Sequence, residues 1–255
     1  MSRFNNLEFG ASSHEQPRGE LIQDESYHLA AGLELYQRGR YDLALRAYSQ
    51  VLEYNATNVF AWCAQVRMLV ELGELREAKL WSDKALERFP NDPELLAAKA
   101  VCLARTGEPG PALAFSDASV EARGDTPYIW LARGEVLLAR GDSGAPYCFE
   151  RAFNLRPRDW TLPWLAGRIH AFYHRFALAL SHARQALKLA PEAAVVWLDV
   201  GRYEQVLGLG ERAVESIAHA GQLDAELPGL NEAIAYGHND TQFERLFRRV
   251  RALFS

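Results

Sequence analysis

The chain has 255 residues with a formal net charge of −5, and 49% of its residues are hydrophobic. This acidic balance argues against nucleic acid as a partner, because nucleic-acid binders usually present a basic stripe. No stretch approaches the roughly 18–20 apolar residues that a membrane span needs, so we expect no membrane-spanning segment.

The first residues of the chain show no periodic pattern. Residues 1–24 are polar, mixed in charge and without the apolar run of a signal peptide. We expect them to form a disordered tail. The chain also has three cysteines, an odd number with no C-x-x-C pair. This cysteine usage indicates a reduced, intracellular setting and favours a cytoplasmic protein.

A repeating unit organises the chain from residue 25 onward. An alanine recurs at spacings of 34, 34, 33, 34 and 34 residues, at Ala44, Ala78, Ala112, Ala145, Ala179 and Ala213. Self-similarity at this period predicts small helix pairs that stack on one another. The predicted units are 25–58, 59–92, 93–126, 127–159, 160–193 and 194–227.

Each unit has the pattern of a helix, a turn and a second helix. The eighth residue is Gly or Ala in five of the six units, and with the recurring alanine it indicates two helices that cross closely. Glycine follows the first helix in five units, where it tolerates a positive φ, and His174 takes this place in the fifth. We expect the first helix of the fifth unit to begin at Pro163, with Thr161 as its N-cap.

The first unit shows the resemblance to a known family most clearly. Gly32, Gly39, Tyr41, Ala44 and Tyr48 resemble the alternation of small and aromatic residues in the tetratricopeptide repeat. The same register continues through six units, followed by a half-repeat. The resemblance implies an all-α, right-handed solenoid, or superhelix, of helix-turn-helix repeats. It also implies a non-enzymatic scaffold or adaptor that binds another protein, with no cofactor and no metal.

In proteins that this chain resembles, the first helix of each repeat lines a concave groove. Carried over to this sequence, that groove is a largely apolar and aromatic track with isolated charges, which suits a partner segment with apolar anchors. We expect Trp164, Arg168 and Arg202 to form an aromatic anchor beside two positive charges. The full set of expected partner-binding residues is Leu29, Leu33, Tyr36, Arg67, Tyr128, Leu131, Glu135, Trp164, Arg168, Phe172, Leu198, Asp199 and Arg202.

Several kinds of partner remain open. The groove could hold a peptide segment or an amphipathic helix. Alternatively, the chain is an assembly or cytoskeleton-associated protein, similar in role to kinesin light chains, that binds a folded surface, or it is an accessory subunit of an enzyme. Members of the family that grip the C-terminal tail of heat-shock chaperones need Lys, Asn and Arg at set positions. Those positions hold Leu29, Leu33, Ala64, Glu94 and Ala98 here, so that partner is not expected.

Two further features have a structural interpretation. His170 and His174 are four residues apart, but no Glu follows His170 as in H-E-x-x-H, and we expect ordinary helix-end histidines. Residues 228–255 predict a half-repeat and a capping helix, in which Thr241 and Glu244 form a capping box. The alternative for this last helix is a basic amphipathic segment that binds an acidic partner or a membrane surface.

Overall fold

A computed structural model describes residues 24–122 and 124–236. Within these ranges the chain is an all-α repeat solenoid without strands, and residues 230–236 are helical after the last complete helix. The predictions for the tail before residue 24 and for the capping helix at 241–254 lie outside the described residues. The complete helices are α1 (Glu25–Gln37), α2 (Tyr41–Tyr54), α3 (Val59–Glu71), α4 (Leu75–Arg88), α5 (Pro93–Arg105), α6 (Pro109–Glu121), α7 (Pro127–Ala139), α8 (Ala145–Leu155), α9 (Thr161–Phe172), α10 (Phe176–Leu189), α11 (Ala194–Val206) and α12 (Gly210–Leu223).

Local sequence signals explain where the helices begin and end. Asp24, Asn58 and Asp92 each accept the backbone N–H three residues further on at 2.9 Å, which satisfies a donor that the helix itself cannot. The turn between the two helices of a pair has a residue with positive φ in every pair. This residue is a glycine in five pairs and His174, with φ 57°, in the other.

The start of α9 differs from the sequence-based prediction. Thr161 is the first residue of the helix, and Pro163 lies inside its first turn. The side chain of Asp159 accepts hydrogen bonds from the Thr161 backbone N–H at 3.1 Å and from its hydroxyl at 2.6 Å. The predicted N-cap at Thr161 was therefore wrong, because a first turn tolerates proline and the carboxylate two residues earlier satisfies the free N–H.

The recurring alanines lie where the two helices of a pair touch. All six are at most 2% exposed, and Ala44, Ala78, Ala112 and Ala179 are fully buried. The glycine at the eighth position has a related role in the first pair. A Cβ built on Gly32 would lie 2.6 Å from Cε1 of Tyr48, which is too close for any larger residue to fit without movement. The close crossing therefore needs small residues on one or both helices.

Replacing Ala78 with leucine is expected to lower the free energy of unfolding by about 1–3 kcal/mol, because the extra atoms have no space at this crossing. Urea denaturation followed by circular dichroism measures this change. The matched control is Ala30→Leu on the exposed face of α1, which is expected to leave stability nearly unchanged. If the two variants unfold alike, the crossing is not closely packed.

The first helices of the pairs form the inner layer of the solenoid. Helix α5 packs on both α3 and α7, and α9 packs on both α7 and α11, in addition to the contacts between chain neighbours. Each second helix covers the outside. This layering places the inner helices around a common axis, so that their inward faces can meet across it.

The solenoid closes on itself within this chain. The ring of Tyr36 in the first pair lies 5.6 Å, centroid to centroid, from the ring of Trp164 in the fifth. In the turn that follows, a Cβ built on Gly39, whose φ is +70°, would lie 2.8 Å from Val195 of α11. Arg40 forms an ion pair of 3.6 Å with Asp224, just after α12. The first helix pair therefore contacts the fifth and sixth pairs, which closes the solenoid.

A pair of stacked histidines lies between α9 and α10. His170 is 5% exposed, and its ring is 5.2 Å from that of His182 at an angle of 8°. Burial lowers the pKa of His170 to about 4, with contributions from His182 and Arg175. His170 lies in the last turn of α9, as predicted for a helix-end histidine, and its ring is also buried beside that of Phe149, with centroids 5.1 Å apart.

The histidine pair is expected to make stability depend on pH. His170 binds a proton in the unfolded chain below about pH 6.5 but in the folded chain only below about pH 4. The unfolded state therefore binds more protons between these values, so the melting temperature falls as pH falls through this window. A melting curve measured across pH 4–7 for the parent and for His170→Gln tests this. We expect a shallower pH dependence in the variant, and parallel curves would contradict the assignment.

Candidate binding clefts along the solenoid axis

The inward faces of the first helices enclose two clefts. The front cleft has a volume of about 410 Å³ and is bordered by α1, α3, α5, α7 and α9. The rear cleft, of about 380 Å³, lies between α3, α5, α9 and α11. A narrow cavity of about 30 Å³ between them shares wall residues with both, and it has room for only one or two water molecules. The axis of the solenoid is therefore open at both ends and filled at its centre.

The front cleft presents apolar side chains to solvent. Leu33 and Phe60 line it and are each 48% exposed. The Phe60 ring packs edge-on against Tyr48, with centroids 6.1 Å apart, so its orientation is supported from behind. Tyr128 and Leu131 of α7 form the opposite wall. Exposed apolar groups in a concave site are typical of a binding surface, where a bound partner covers them.

The charged groups of the front cleft differ in how well they are satisfied. Arg67 lies over the ring of Tyr128, with Cζ 4.2 Å from the ring centroid, and it forms no ion pair with a described residue. Glu94 and Asp159 border the same cleft, and each carboxylate accepts a hydroxyl hydrogen bond from a threonine, at 2.7 and 2.6 Å. The front cleft therefore holds two cations without a carboxylate partner among the described residues, the half-buried Arg67 and the exposed Arg156.

The rear cleft contains a network of paired charges. Arg168 forms ion pairs with Glu71 at 2.6 Å and with Asp199 at 3.3 Å. Asp199 also accepts a hydrogen bond from the indole N–H of Trp164 at 2.8 Å. Burial alone would raise the pKa of Glu71, but the nearby guanidinium groups, mainly that of Arg168, hold it below its usual value. This carboxylate is therefore charged at neutral pH.

A second buried ion pair adjoins this network. Arg105 contacts Glu135 at 2.6 Å, and the two side chains are 8% and 2% exposed. Burial raises the pKa of Glu135, although the adjacent guanidinium opposes this effect. The Arg105 guanidinium also lies 4.6 Å from the ring centroid of Phe172, which covers it from the rear cleft. The charges at the centre of the axis thus bind one another across neighbouring helices.

The structure places the predicted groove residues in several different environments. Leu33, Tyr36, Arg67, Tyr128 and Leu131 line the front cleft, while Arg168, Phe172, Asp199 and Arg202 line the rear cleft. Glu135 borders the narrow cavity between them. The remaining three, which border neither cleft nor that cavity, are Leu29, Trp164 and Leu198.

The prediction of an aromatic anchor at Trp164 does not agree with its position. Its side chain is fully buried, between the rings of Tyr36 and Trp160, with centroids 5.6 Å from each. A partner cannot reach this ring while the solenoid is closed. Leu198 is likewise 1% exposed and belongs to the core. Both face inward at groove positions, but closure of the superhelix buries them.

The two arginines predicted beside that anchor are already engaged. Arg168 joins α3 to α11 through its two carboxylate partners. Arg202 donates to the backbone carbonyl of Gly229 at 2.9 Å and approaches Asp199 at 3.8 Å. Their charges are balanced within the protein, so they offer less to an acidic partner than the sequence indicated.

Three further residues line the clefts but were not among the expected partner-binding residues. Phe60 occupies the second position of its unit, and Glu71 and Arg105 both occupy the thirteenth. These positions face the groove in the family that the chain resembles, so the register contained the signal. Such a residue can either face a partner or contact another helix pair across the axis. Which of these occurs depends on the curvature of the whole solenoid, which a single unit does not show.

Other kinds of site find no support in the described part of the chain. Within residues 24–122 and 124–236, no group of three or more His, Cys, Asp and Glu side chains is placed to hold a metal ion. No helix in the same ranges is both long enough and apolar enough to cross a membrane. The three cysteines are buried and form no disulfide bond.

Comparison with known proteins identifies the repeat. The sequence model of the tetratricopeptide repeat matches residues 35–100. A solved tetratricopeptide repeat protein from Parabacteroides merdae is 17% identical, with a TM-score of 0.54 and coverage of 86% of each chain. A thermophilic protein of the same class from Thermus thermophilus is 22% identical, with a TM-score of 0.53, and the match covers 72% of this chain and 98% of that one. No curated protein matches the sequence.

Proposed function

Because this chain is a tetratricopeptide repeat protein, we propose that it is a non-enzymatic interaction scaffold that binds a segment of another protein in the front cleft. The observation that carries this proposal is the exposure of Leu33 and Phe60, each 48%, inside a concave site. Binding a partner there would remove apolar surface from water, at a gain of about 25 cal/mol per Å².

The size of the front cleft favours an extended segment over a helix. Its volume of about 410 Å³ falls in the range of roughly 300–1,000 Å³ found for small-ligand pockets. A helix with its side chains is about 10–12 Å across and needs a continuous groove. Here Tyr36 and Trp164 meet across the axis and interrupt any such groove. An extended segment that inserts two or three side chains fits this geometry better.

A folded partner that binds the outer surface is the second candidate. Tyr147 on α8 is 64% exposed and borders a shallow cavity of about 260 Å³ together with Leu155. This region lies on an outer helix, away from both clefts. A short peptide is not expected to replace a folded surface there, so the two candidates differ in what they bind.

A displayed library of short random peptides tests the proposal. We expect the parent protein to enrich peptides whose affinity falls about 30-fold or more for Phe60→Ala and for Leu33→Ala, as for truncated hot-spot residues. Both side chains are half exposed, so these variants are expected to remain folded. Tyr147→Ala is the matched control at an exposed aromatic residue outside the cleft, and it is expected to bind like the parent.

Two results would contradict the proposal. Enriched peptides that bind the two cleft variants as they bind the parent would exclude the front cleft. A library that yields no specific peptide would favour a folded partner on the outer surface, and peptides whose binding requires Tyr147 would place the peptide site outside the front cleft.

A further inference from the structure

Arg67 differs from the other arginines along the axis. Arg105, Arg168 and Arg202 each have a carboxylate within 4 Å. Arg67 has no such partner among the described residues, although it is half-buried at the base of the front cleft. Its guanidinium is held in place by the ring of Tyr128, 4.2 Å below it. A fixed, partly desolvated cation without a counter-ion is costly to bury, so an anion that reaches it would be bound favourably.

A second donor without an acceptor lies beside Arg67. The hydroxyl of Tyr36 is buried and donates to no described group, since its close polar neighbour, the Arg67 guanidinium, is itself a donor, and Tyr36 is 5% exposed. Its ring is 5.8 Å from Cζ of Arg67, and both residues line the front cleft and the narrow cavity behind it. Burial raises the pKa of Tyr36 well above its usual value, so the hydroxyl keeps its proton and can donate. Buried polar groups are nearly always paired, and this one lacks an acceptor.

We propose that Arg67 and Tyr36 form a carboxylate-binding position at the base of the front cleft, which takes the side chain of an Asp or Glu in the bound segment. This inference rests on the proposed function, since it names the chemistry of the segment that the front cleft binds. A carboxylate has two acceptor oxygens, one for the guanidinium and one for the hydroxyl. The neighbouring apolar side chains of Leu33 and Phe60 would pack against residues that flank the acid.

The other charges of the front cleft favour a carboxylate over a phosphate. Glu94 and Asp159 lie on its walls, and Arg156 is the other cation that borders it. Two positive and two negative groups leave no excess of positive charge for a phosphate, which carries about −1.5 to −2 at neutral pH. A single carboxylate needs only the half-buried guanidinium of Arg67, since Arg156 is exposed. Because Arg67 lies at the base, a side chain reaches it more easily than a main-chain terminus.

Small probes test the position without a partner. We would titrate the full chain with N-acetylglutamate α-amide, whose carboxylate is on the side chain, and follow the Arg67 Nε–H resonance by NMR. We expect a saturable shift in the millimolar range, absent with the neutral N-acetylglutamine amide and absent in Arg67→Gln. N-acetylglycine and inorganic phosphate are expected to bind more weakly, since they represent a chain terminus and a phosphate.

Tyr36→Phe separates a binding role from a structural one. Removing a hydroxyl that has no acceptor leaves no acceptor unpaired, so this variant is expected to be about as stable as the parent. Its affinity for N-acetylglutamate α-amide is nevertheless expected to fall about 2- to 10-fold, because the ligand loses one hydrogen bond. Arg67→Lys keeps the charge but not the planar fork, and an intermediate affinity is expected.

Peptides selected on the front cleft provide the second test. Replacing their Asp or Glu by Asn or Gln is expected to weaken binding to the parent about tenfold or more, and to change binding to Arg67→Gln much less. Equal affinity of the acid and amide peptides for the parent would overturn the inference while leaving the front cleft as the binding site. A probe titration without saturation, or with phosphate or N-acetylglycine as the stronger ligand, would also overturn it.

Discussion

Replacing Trp164 with alanine is expected to lower the free energy of unfolding by about 3–5 kcal/mol. The indole is fully buried and packs against Tyr36 and Trp160. Its removal leaves a cavity at the point where the first and fifth helix pairs meet. The substitution also removes the indole N–H that donates a hydrogen bond of 2.8 Å to Asp199. Both losses weaken the closed solenoid, whether or not a partner is present.

Chemical denaturation of Trp164→Ala measures this effect. Trp130→Ala is a suitable control, because Trp130 is only half-buried and its indole donates to the exposed Asp125. We expect a clearly smaller loss for the control. If Trp164→Ala unfolds like the parent, the indole is not part of the core, and a role as an exposed binding residue would have to be reconsidered.

Replacing Glu135 with alanine is the second change with a large expected effect. It leaves the guanidinium of Arg105, which is 8% exposed, without its closest carboxylate. Removing one partner of a buried ion pair typically costs about 3–5 kcal/mol, because an uncompensated charge stays buried. The remaining carboxylate of Glu71 is engaged by Arg168 and compensates only in part.

Two further variants show whether the cost comes from the unpaired charge. The double change Glu135→Ala, Arg105→Leu removes both charges and is expected to regain much of the lost stability. Glu34→Ala breaks an exposed ion pair with Arg38 on α1 and is expected to cost less than about 1 kcal/mol. A double variant no more stable than Glu135→Ala would show that packing, and not charge, is the reason.

The helix pairs were predictable from the sequence because their signals are local. The recurring alanine acts within one unit and is present in all six, and the turn glycine is present in five of them. In a repeat protein most contacts join neighbouring units. The pattern of one unit therefore largely predicts the fold of the unit that packs on it. The fold class could therefore be obtained without any long-range information.

The candidate site was less predictable because it depends on accumulated curvature. Trp164 occupies a groove position, but a small rotation at each unit brings the first and fifth pairs together and buries it. The contact between Arg168 and Glu71 spans 97 residues and has no local signature. For the same reason, the sequence marked Arg168 and Arg202 as free charges and did not distinguish Arg67, whose lack of an ion pair appears only in three dimensions.

The local exceptions have a similar origin. His170 lies near a helix end as expected, but its ring is buried because it stacks on His182 of the next helix. Pro163 resembles a helix start, although the preceding carboxylate of Asp159 allows α9 to begin earlier. In each case a neighbouring element decides the outcome, and a pattern within one helix does not include that neighbour.

A double-mutant cycle on Glu71 and Arg168 tests the closed solenoid most directly. Glu71→Ala, Arg168→Ala and the double variant would be compared with the parent by chemical denaturation. If the second and fifth helix pairs meet as described, the 2.6 Å ion pair between α3 and α9 gives a coupling energy of about 1–3 kcal/mol. A coupling energy near zero would mean that these helices do not meet in solution. The groove would then be open, and the assignment of its binding residues would have to change.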